Sequence, residues 1–175
     1  ALGPPSGRYV VGCSGTRLRV YKFDGEDVSP SWGTAVGEYT SPAAIGDIDD
    51  DGTNEIITHQ PGSIHAHRLG SGAQLAFRLF SGEVLSGMPA LADFDGDGDL
   101  EIAVGTVSGK VYLMHHDFTD YGPGFPYDTG NNSAVMGVVA ANLLGIPRPE
   151  LVFSQLDGTT HIVYETGNAG DNYPK

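Results

Sequence analysis

An acidic motif occurs twice in this chain, with its two copies forty-six residues apart. The first copy, GDIDDDGTNEII, spans residues 46–57, and the second, ADFDGDGDLEIA, spans residues 92–103. Counted from its first Asp, each copy has acids at positions 1, 3 and 5, Gly at 6 and Glu at 9. Alternate side chains of a tightly curled loop converge on one point when Gly permits the turn, and calcium takes about 6 to 8 oxygen ligands. The motif therefore predicts two calcium-binding loops.

Both loops offer carboxylates at odd positions and a backbone carbonyl or a further acid at position 7. Four carboxylates within a few ångströms of one another repel strongly, so the cluster needs either a bound cation or full solvation. We expect a bound calcium ion in each loop. The predicted ligands are Asp47, Asp49, Asp51, Thr53 and Glu55 in the first loop, and Asp93, Asp95, Asp97, Asp99 and Glu101 in the second.

The flanks distinguish these loops from an EF-hand. An EF-hand needs a bidentate acid at position 12 and a helix on each side, whereas position 12 is Thr58 in one copy and Val104 in the other. Short β-branched runs follow each loop, and Pro with small residues precedes it. This pattern predicts a strand, a loop and a second strand.

The motif belongs to a longer repeat of about 47 residues. Position 9 of the loop recurs as Arg8, Glu55, Glu101 and Glu150, and an apolar strand, a turn and a second strand follow it each time. Four short strands per unit of this length predict an all-β fold, a β-propeller of four-stranded antiparallel blades. The approximate units are residues 1–40, 41–85, 86–134 and 135–175.

The number of units falls short of a typical ring. The first unit lacks its opening strand and the last stops where its fourth strand should begin, so we expect about 3.5 blades, while propellers usually have about 4 to 8. Bare strand edges favour pairing with another chain. We therefore expect an incomplete ring that is part of a larger propeller, or that self-associates through its terminal blades.

The loop of the last unit departs from the motif. Asn142, Leu144 and Ile146 stand where the other loops have Asp, and Arg148 replaces the acid at position 7. Leu and Ile offer no side-chain ligand, and Arg supplies its own positive charge, which we expect to pair with Glu150. We expect no metal in this unit.

Composition narrows the choice of partners. The formal net charge of −13 is unfavourable for binding nucleic acid or an anionic membrane surface, although ten of the 22 acids lie in the two loops. No run of apolar residues approaches the ~20 needed for a membrane span. The single cysteine, Cys13, forms no internal disulfide.

The repeated D-x-D-x-D-G-x-x-E sequence, with SPA or MPA before it and G-x-V-Y after it, resembles the FG-GAP or VCBS repeat. That family forms calcium-binding propeller blades in integrin α-subunits and in many secreted bacterial proteins, and the G-F-P at residues 124–126 is similar to the bacterial members. The resemblance implies calcium at Asp47, Asp49, Asp51, Glu55, Asp93, Asp95, Asp97 and Glu101.

The sequence favours structural roles for the histidines and indicates no catalytic group. His65 aligns in the repeat with Tyr21, Tyr112 and His161, which favours a packing role for a flat ring over a transition-metal site with His67. We expect a surface position for His115 and His116. No nucleophile motif or separate acid–base pair is present in the sequence, so we expect the chain not to be an enzyme.

The expected function is a calcium-stabilised interaction or adhesion scaffold, secreted or on a cell surface, whose ligand is a protein or a glycan. The alternative is a carbohydrate-binding accessory propeller of a secreted enzyme, in which Trp32, Phe125 and Tyr127 stack on sugar. These rings recur at equivalent places in the units, which favours packing within the blades over sugar binding.

Overall fold

The computed structural model describes residues 9–14, 17–29, 42–143 and 148–163. Thirteen β-strands and no α-helix occur in these ranges. The strands are β1 (Tyr9–Ser14), β2 (Arg17–Lys22), β3 (Ala44–Gly46), β4 (Glu55–Gln60), β5 (Ser63–Arg68), β6 (Gln74–Leu79), β7 (Leu85–Ala92), β8 (Glu101–Thr106), β9 (Lys110–Met114), β10 (Tyr127–Asp128), β11 (Val135–Ala141), β12 (Glu150–Gln155) and β13 (Thr160–Val163).

The strands form four separate antiparallel sheets, each of which follows chain order. They are β1-β2, β3-β4-β5-β6, β7-β8-β9-β10 and β11-β12-β13, and none of them closes on itself. Consecutive four-stranded meanders of this kind are propeller blades. The predicted incomplete propeller is thereby confirmed. The fourth strand of the third blade is shorter than the sequence suggests, because only Tyr127 and Asp128 pair with β9.

Alternate side chains of β4 and of β8, the second strands of their blades, pack against the blades on either side. In β4, Ile56 packs towards the first sheet, whereas Ile57 packs towards the third. In β8, Ile102 packs with the second sheet and Ala103 with the fourth. Successive residues of a strand point to opposite faces, so these two strands, buried apart from the last residue of β4, contribute to two cores at once. The blades are therefore stacked face to face.

The register of the first two strands places each acidic loop at the same end of its blade. Gly46 pairs with Glu55, Ala92 with Glu101 and Ala141 with Glu150, so the chain between each pair is the connection from first to second strand. The predicted order of strand, loop and strand is confirmed. The two complete loops also touch, since the amide of Leu100 donates to the carbonyl of Ile48 at 3.1 Å.

Several rings pack as the repeat predicts. His65 stacks with Phe77 at 6.1 Å between ring centroids, and His161 stacks with Phe153 at 4.8 Å. Tyr112 contacts Phe80 edge to face at 4.8 Å.

Two of the three rings considered for sugar stacking also have packing roles. Tyr127 contacts Phe153 edge to face, and Phe125 contacts Tyr121 in the same way. Trp32 lies outside the described residues, as does the side chain of Cys13. In the described ranges, no helix has the length and apolar character needed to cross a membrane.

Candidate metal centre

The first loop, residues 47–55, folds around its own carboxylates. Asp47 accepts hydrogen bonds from the amides of Asp51, at 3.1 Å, and Gly52, at 2.9 Å. Gly52 has φ of 85°, a conformation that a side chain disfavours and that allows the chain to curl. One carboxylate oxygen from each of Asp47, Asp49 and Glu55 lies within 4.8 Å of the others. The loop therefore offers three convergent oxygen ligands.

Asp51, although predicted as a ligand, is engaged elsewhere. Its Oδ1 accepts hydrogen bonds from the amide and the hydroxyl of Thr53, and its Oδ2 lies 2.7 Å from Nη2 of Arg68. These bonds, with the charge of Arg68, hold the pKa of the Asp51 carboxyl below its usual value. Arg68 also approaches Glu55, with 3.8 Å between Nε and Oε1. A guanidinium thus stands beside the first loop.

The second loop, residues 93–101, also folds around its own carboxylates, and its side chains belong to two possible sets of metal ligands. Asp93 accepts from the amide of Gly96 at 2.6 Å, and Asp95 from that of Asp97 at 3.2 Å. Oxygens of Asp93, Asp95 and Asp97 lie within 4.8 Å of one another. Three of the predicted ligands therefore lie close together in this loop, and their binding of calcium stays a prediction.

Asp95 also belongs to a second set in the same loop. One ligand atom each from Asp95, Glu101 and His115 lie within 4.8 Å of one another, and Nδ1 of His115 is 3.3 Å from Oε1 of Glu101. Asp99 turns away from the aspartates, because its Oδ2 contacts Nδ1 of His116 at 2.8 Å.

The glutamate at position 9 has the same contact in three blades. Oε2 of Glu55 accepts from the amide of Ile48 at 3.2 Å, and Oε2 of Glu101 from that of Phe94 at 2.7 Å. Oε2 of Glu150 accepts from Leu143 at 2.7 Å. All three glutamates are fully buried. One oxygen of each therefore closes the loop onto its own backbone, whether or not the loop carries the other acids.

The glutamate oxygen that does not bind the loop amide, Oε1, indicates whether the first loop can hold a cation. In the described part of the chain, Oε1 of Glu55 and Oδ1 of Asp49 are buried without a hydrogen-bond partner. Burial, with the charges of Asp49 and Asp51, raises the pKa of Glu55 to about 7. An unpaired buried carboxylate oxygen is costly unless a positive charge or donor reaches it. Arg68, with Nε 3.8 Å from Oε1 of Glu55, supplies part of that positive charge, and the carboxylate of Asp49 leaves a negative charge that a bound cation fits.

Burial acts in the same direction in the second loop. It raises the pKa of Glu101, with a further contribution from Asp95, while His115 opposes the shift. The carboxylates of Asp93 and Asp97 are more exposed than that of Glu101. The loop combines one buried ligand with a solvent-facing set of aspartates, an arrangement that calcium accepts because it commonly keeps water ligands as well.

Two contacts around the loops are absent from the sequence predictions. Arg68 ends β5 and His115 directly follows β9, 13 and 14 residues after the position-9 glutamates. Glu55 pairs with Arg68 in the register of β4 and β5. Ile102 pairs with Met114, which places His115 opposite Glu101 one step further on. His115, predicted to lie at the surface, is partly exposed and also contacts the buried Glu101.

The remaining predicted positions have limited roles. The hydroxyl and amide of Thr53 bond to Asp51 within the loop. In the last unit, Leu144 and Ile146 lie outside the described residues. One oxygen of Glu150 accepts from the backbone amide of Leu143, and Oε1 is buried without a hydrogen bond. The pairing of Glu150 with Arg148 stays a prediction.

Solved structures similar to this chain include propellers. The C-terminal WD40 domain of Sif2 superposes with a TM-score of 0.52 at 14% identity, over 91% of this chain and 43% of that chain. The biofilm matrix protein Bap1 of V. cholerae gives a TM-score of 0.47 at 24% identity, over 83% of this chain and 30% of that one. This chain spans less than half the length of either structure.

Sequence comparison supplies one further finding. No curated protein sequence matches the chain. The family model described as the FG-GAP repeat matches residues 89–114, which contain the second acidic loop together with β8 and β9. The part of the chain that holds the second candidate metal centre is therefore similar in sequence to an FG-GAP repeat, within a propeller-like fold.

Proposed function

We propose that this chain is a calcium-stabilised, non-catalytic interaction scaffold that works outside the cell. The observation that carries the proposal is the convergence of three carboxylates in each of two neighbouring blades, with a buried glutamate oxygen in the first loop that accepts no hydrogen bond. The FG-GAP match over the second loop supports the same conclusion. Secretion or display on a cell surface is part of the proposal.

Calcium suits these donor sets better than other common cations. The first loop offers oxygen only, in a flexible curl that leaves room for water, whereas magnesium demands near-ideal octahedral geometry. Extracellular modules bind calcium at about 0.1 to 1 mM. Loops of that affinity are filled where calcium is millimolar and empty where it is micromolar. This is the basis for the proposed location.

An ion in the first loop would tie together two strands of its blade, because the set of Asp47, Asp49 and Glu55 spans the loop. The carboxylates at positions 1 and 3 follow the first strand, and the glutamate at position 9 begins the second. Because the ligands converge only in the folded chain, calcium binds the folded state and stabilises it, by about 2.7 kcal/mol per site at a concentration of 100 Kd. Calcium therefore acts on stability, and the ligand-binding surface lies elsewhere.

The scaffold role follows from how the carboxylates are used. The glutamate of each loop accepts from a backbone amide, and the aspartates of the two loops cluster with one another or contact basic side chains. In the proposed role these carboxylates hold structure and ions and do no chemistry on a substrate. Blade stacking gives a rigid frame of the kind on which interaction surfaces are built. The ligand of this frame is a protein or a glycan.

The proposal is tested by thermal unfolding of Asp95→Ala with calcium and with a chelator. Asp95 belongs to both ligand sets of the second loop, so we expect the variant to lose most of one site's calcium-dependent rise in Tm, while its Tm in chelator changes little. The matched control is Asp157→Ala, since Oδ1 of Asp157 also accepts from an amide two residues later, at 2.9 Å, but lies in no acidic loop. Equal losses in calcium and in chelator would contradict calcium stabilisation.

A further inference from the structure

The residue opposite the position-9 glutamate differs between the two metal-loop blades. In the second blade this residue is Arg68, which brings a positive charge to the loop. In the third blade it is His115, whose Nδ1 lies 3.3 Å from Oε1 of the fully buried Glu101. A histidine nitrogen is a metal ligand, whereas a guanidinium is not. The two blades therefore differ in the kind of ion that they can hold.

The separation of two side chains in the third blade suits a small transition-metal ion. Ligand atoms of Asp95, Glu101 and His115 lie within 4.8 Å of one another. Zinc binds histidine nitrogen and carboxylate oxygen at about 2.0 to 2.2 Å, so two of its tetrahedral ligands are separated by about 3.3 to 3.5 Å. The observed 3.3 Å between His115 and Glu101 matches that separation.

The donor set also has the right chemistry. Imidazole favours zinc and related divalent transition metals, while calcium selects oxygen. Glu101 is held in place by Oε2, which accepts from the amide of Phe94 at 2.7 Å, so its other oxygen, Oε1, is directed at Nδ1 of His115. A ligand fixed in this way loses little conformational entropy when an ion binds.

We propose that Asp95, Glu101 and His115 form a binding site for a divalent transition metal of the zinc class, with its remaining positions open to water. The site is distinct in ligand chemistry from the all-oxygen set of Asp93, Asp95 and Asp97, although the two share Asp95. The first loop lacks such a site, because Arg68 takes the place of the histidine.

Zinc and calcium binding are separable, because only one of the two ions needs the imidazole. Calcium uses the aspartates, whose convergence does not involve His115. A variant of His115 therefore changes zinc affinity while the calcium set stays complete. Either ion could bind without the other, and the sharing of Asp95 makes them compete when both are present.

The test is a zinc titration of the whole 175-residue chain by calorimetry in calcium-free buffer, followed by a calcium titration of the same samples. We expect His115→Ala to weaken zinc binding by about 10-fold or more and to change calcium affinity by less than about 3-fold. The matched control is His116→Ala, since His116 contacts Asp99 and lies outside the three-residue set. It should bind zinc as the unsubstituted chain does.

A second variant keeps the inference testable if loss of the ring disturbs the fold. His115→Gln retains a hydrogen-bonding side chain next to Glu101 but replaces the imidazole nitrogen, and circular dichroism reports whether it is folded. Equal zinc affinity in folded His115→Gln and in the unsubstituted chain would overturn the site. The visible absorption of bound Co²⁺ gives an independent readout, and it should lose intensity in the same variant.

The calcium proposal and the zinc-site proposal are contradicted by different results. Zinc binding that depends on His115, with no calcium binding, would remove the calcium proposal alone. Calcium stabilisation with zinc affinity unchanged by His115→Gln would remove the zinc site alone.

Discussion

Arg68 is the residue that most distinguishes the first loop from the second. Its guanidinium lies 2.7 Å from Oδ2 of Asp51 and 3.8 Å from Oε1 of Glu55. The arginine therefore supplies part of the positive charge that four nearby carboxylates require. A bound calcium ion has to compete with this internal charge, so the first loop should bind calcium more weakly than its number of acids suggests.

Arg68→Gln should raise the calcium affinity of the first loop by several-fold and lower the stability of the calcium-free chain. The first effect follows from removing a like charge near the ion, and the second from leaving Asp51 and Glu55 without their ion pair. Calorimetric calcium titration and thermal unfolding in chelator measure the two effects. Arg78→Gln is the control, because Arg78 pairs with Asp120 away from both loops. Unchanged calcium affinity would contradict the role assigned to Arg68.

At the scale of strands, close approach between blades depends on small residues. Gly105 lies in the fully buried strand β8, and a Cβ at that position would lie 2.4 Å from Cγ1 and 2.5 Å from Cβ of Val135. Val135 begins β11 and is itself fully buried. The third and fourth blades therefore meet at a point where no side chain fits.

Gly105→Ala should destabilise the chain by about 1 to 3 kcal/mol, as overpacking of a core does. The added methyl group forces β8 and β11 apart along the interface that contains Val138 and Phe153. Urea or thermal unfolding in excess calcium measures the change. Gly12→Ala is the control, since a Cβ there meets no atom within 4 Å. A loss of stability as small as that of the control would argue against tight contact between these blades.

The sequence predicts the strands and loops of this fold, but it does not predict which side chains meet across the strands. The D-x-D-x-D-G spacing and the period of about 47 residues are local, so they predict the loops, the strands around them and the blade. The role of Arg68 and His115 is not local, because each meets its glutamate only through hairpin register. The shortness of β10 has a similar origin, since pairing with β9, and not propensity, limits it to Tyr127 and Asp128.

The glutamates show a further limit of motif reading. The motif marks Glu55 and Glu101 as metal ligands, but both share with Glu150 a hydrogen bond to a loop amide. Nothing in the spacing separates a carboxylate that binds an ion from one that binds its own backbone. In this fold Glu55 and Glu101 each use one oxygen to bind a loop amide, and the other oxygen can bind an ion. The sequence does contain one indication of the structural role: Glu150 occupies position 9 in a loop that lacks the other acids.

For the molecule as a whole, the two outermost sheets expose apolar side chains. Val10 and Phe23 are 53% and 73% exposed at the first sheet, and Leu156 and Ile162 are 70% and 46% exposed at the fourth. Apolar side chains grouped near sheet edges favour association. The net charge of −13 opposes it, and two calcium ions would reduce that charge to about −9.

We expect the 175-residue chain to associate in solution, more strongly with calcium than with chelator. Light scattering after size exclusion measures the mass in each condition. Ile162→Lys places a charge on the outward face of β13 and should shift the mass towards that of one chain, while Lys110→Arg, within the third blade, should not. A monomer of unchanged mass in calcium at high protein concentration would contradict association through the outer sheets.

The hydrogen bond from the position-9 glutamate to its loop has a consequence for the modularity of the blades. The glutamate accepts from a loop amide in all three blades, including the one whose loop lacks the other acids. Strand register and metal content are therefore separate properties of a blade, and one propeller can combine blades with acidic loops and blades without them.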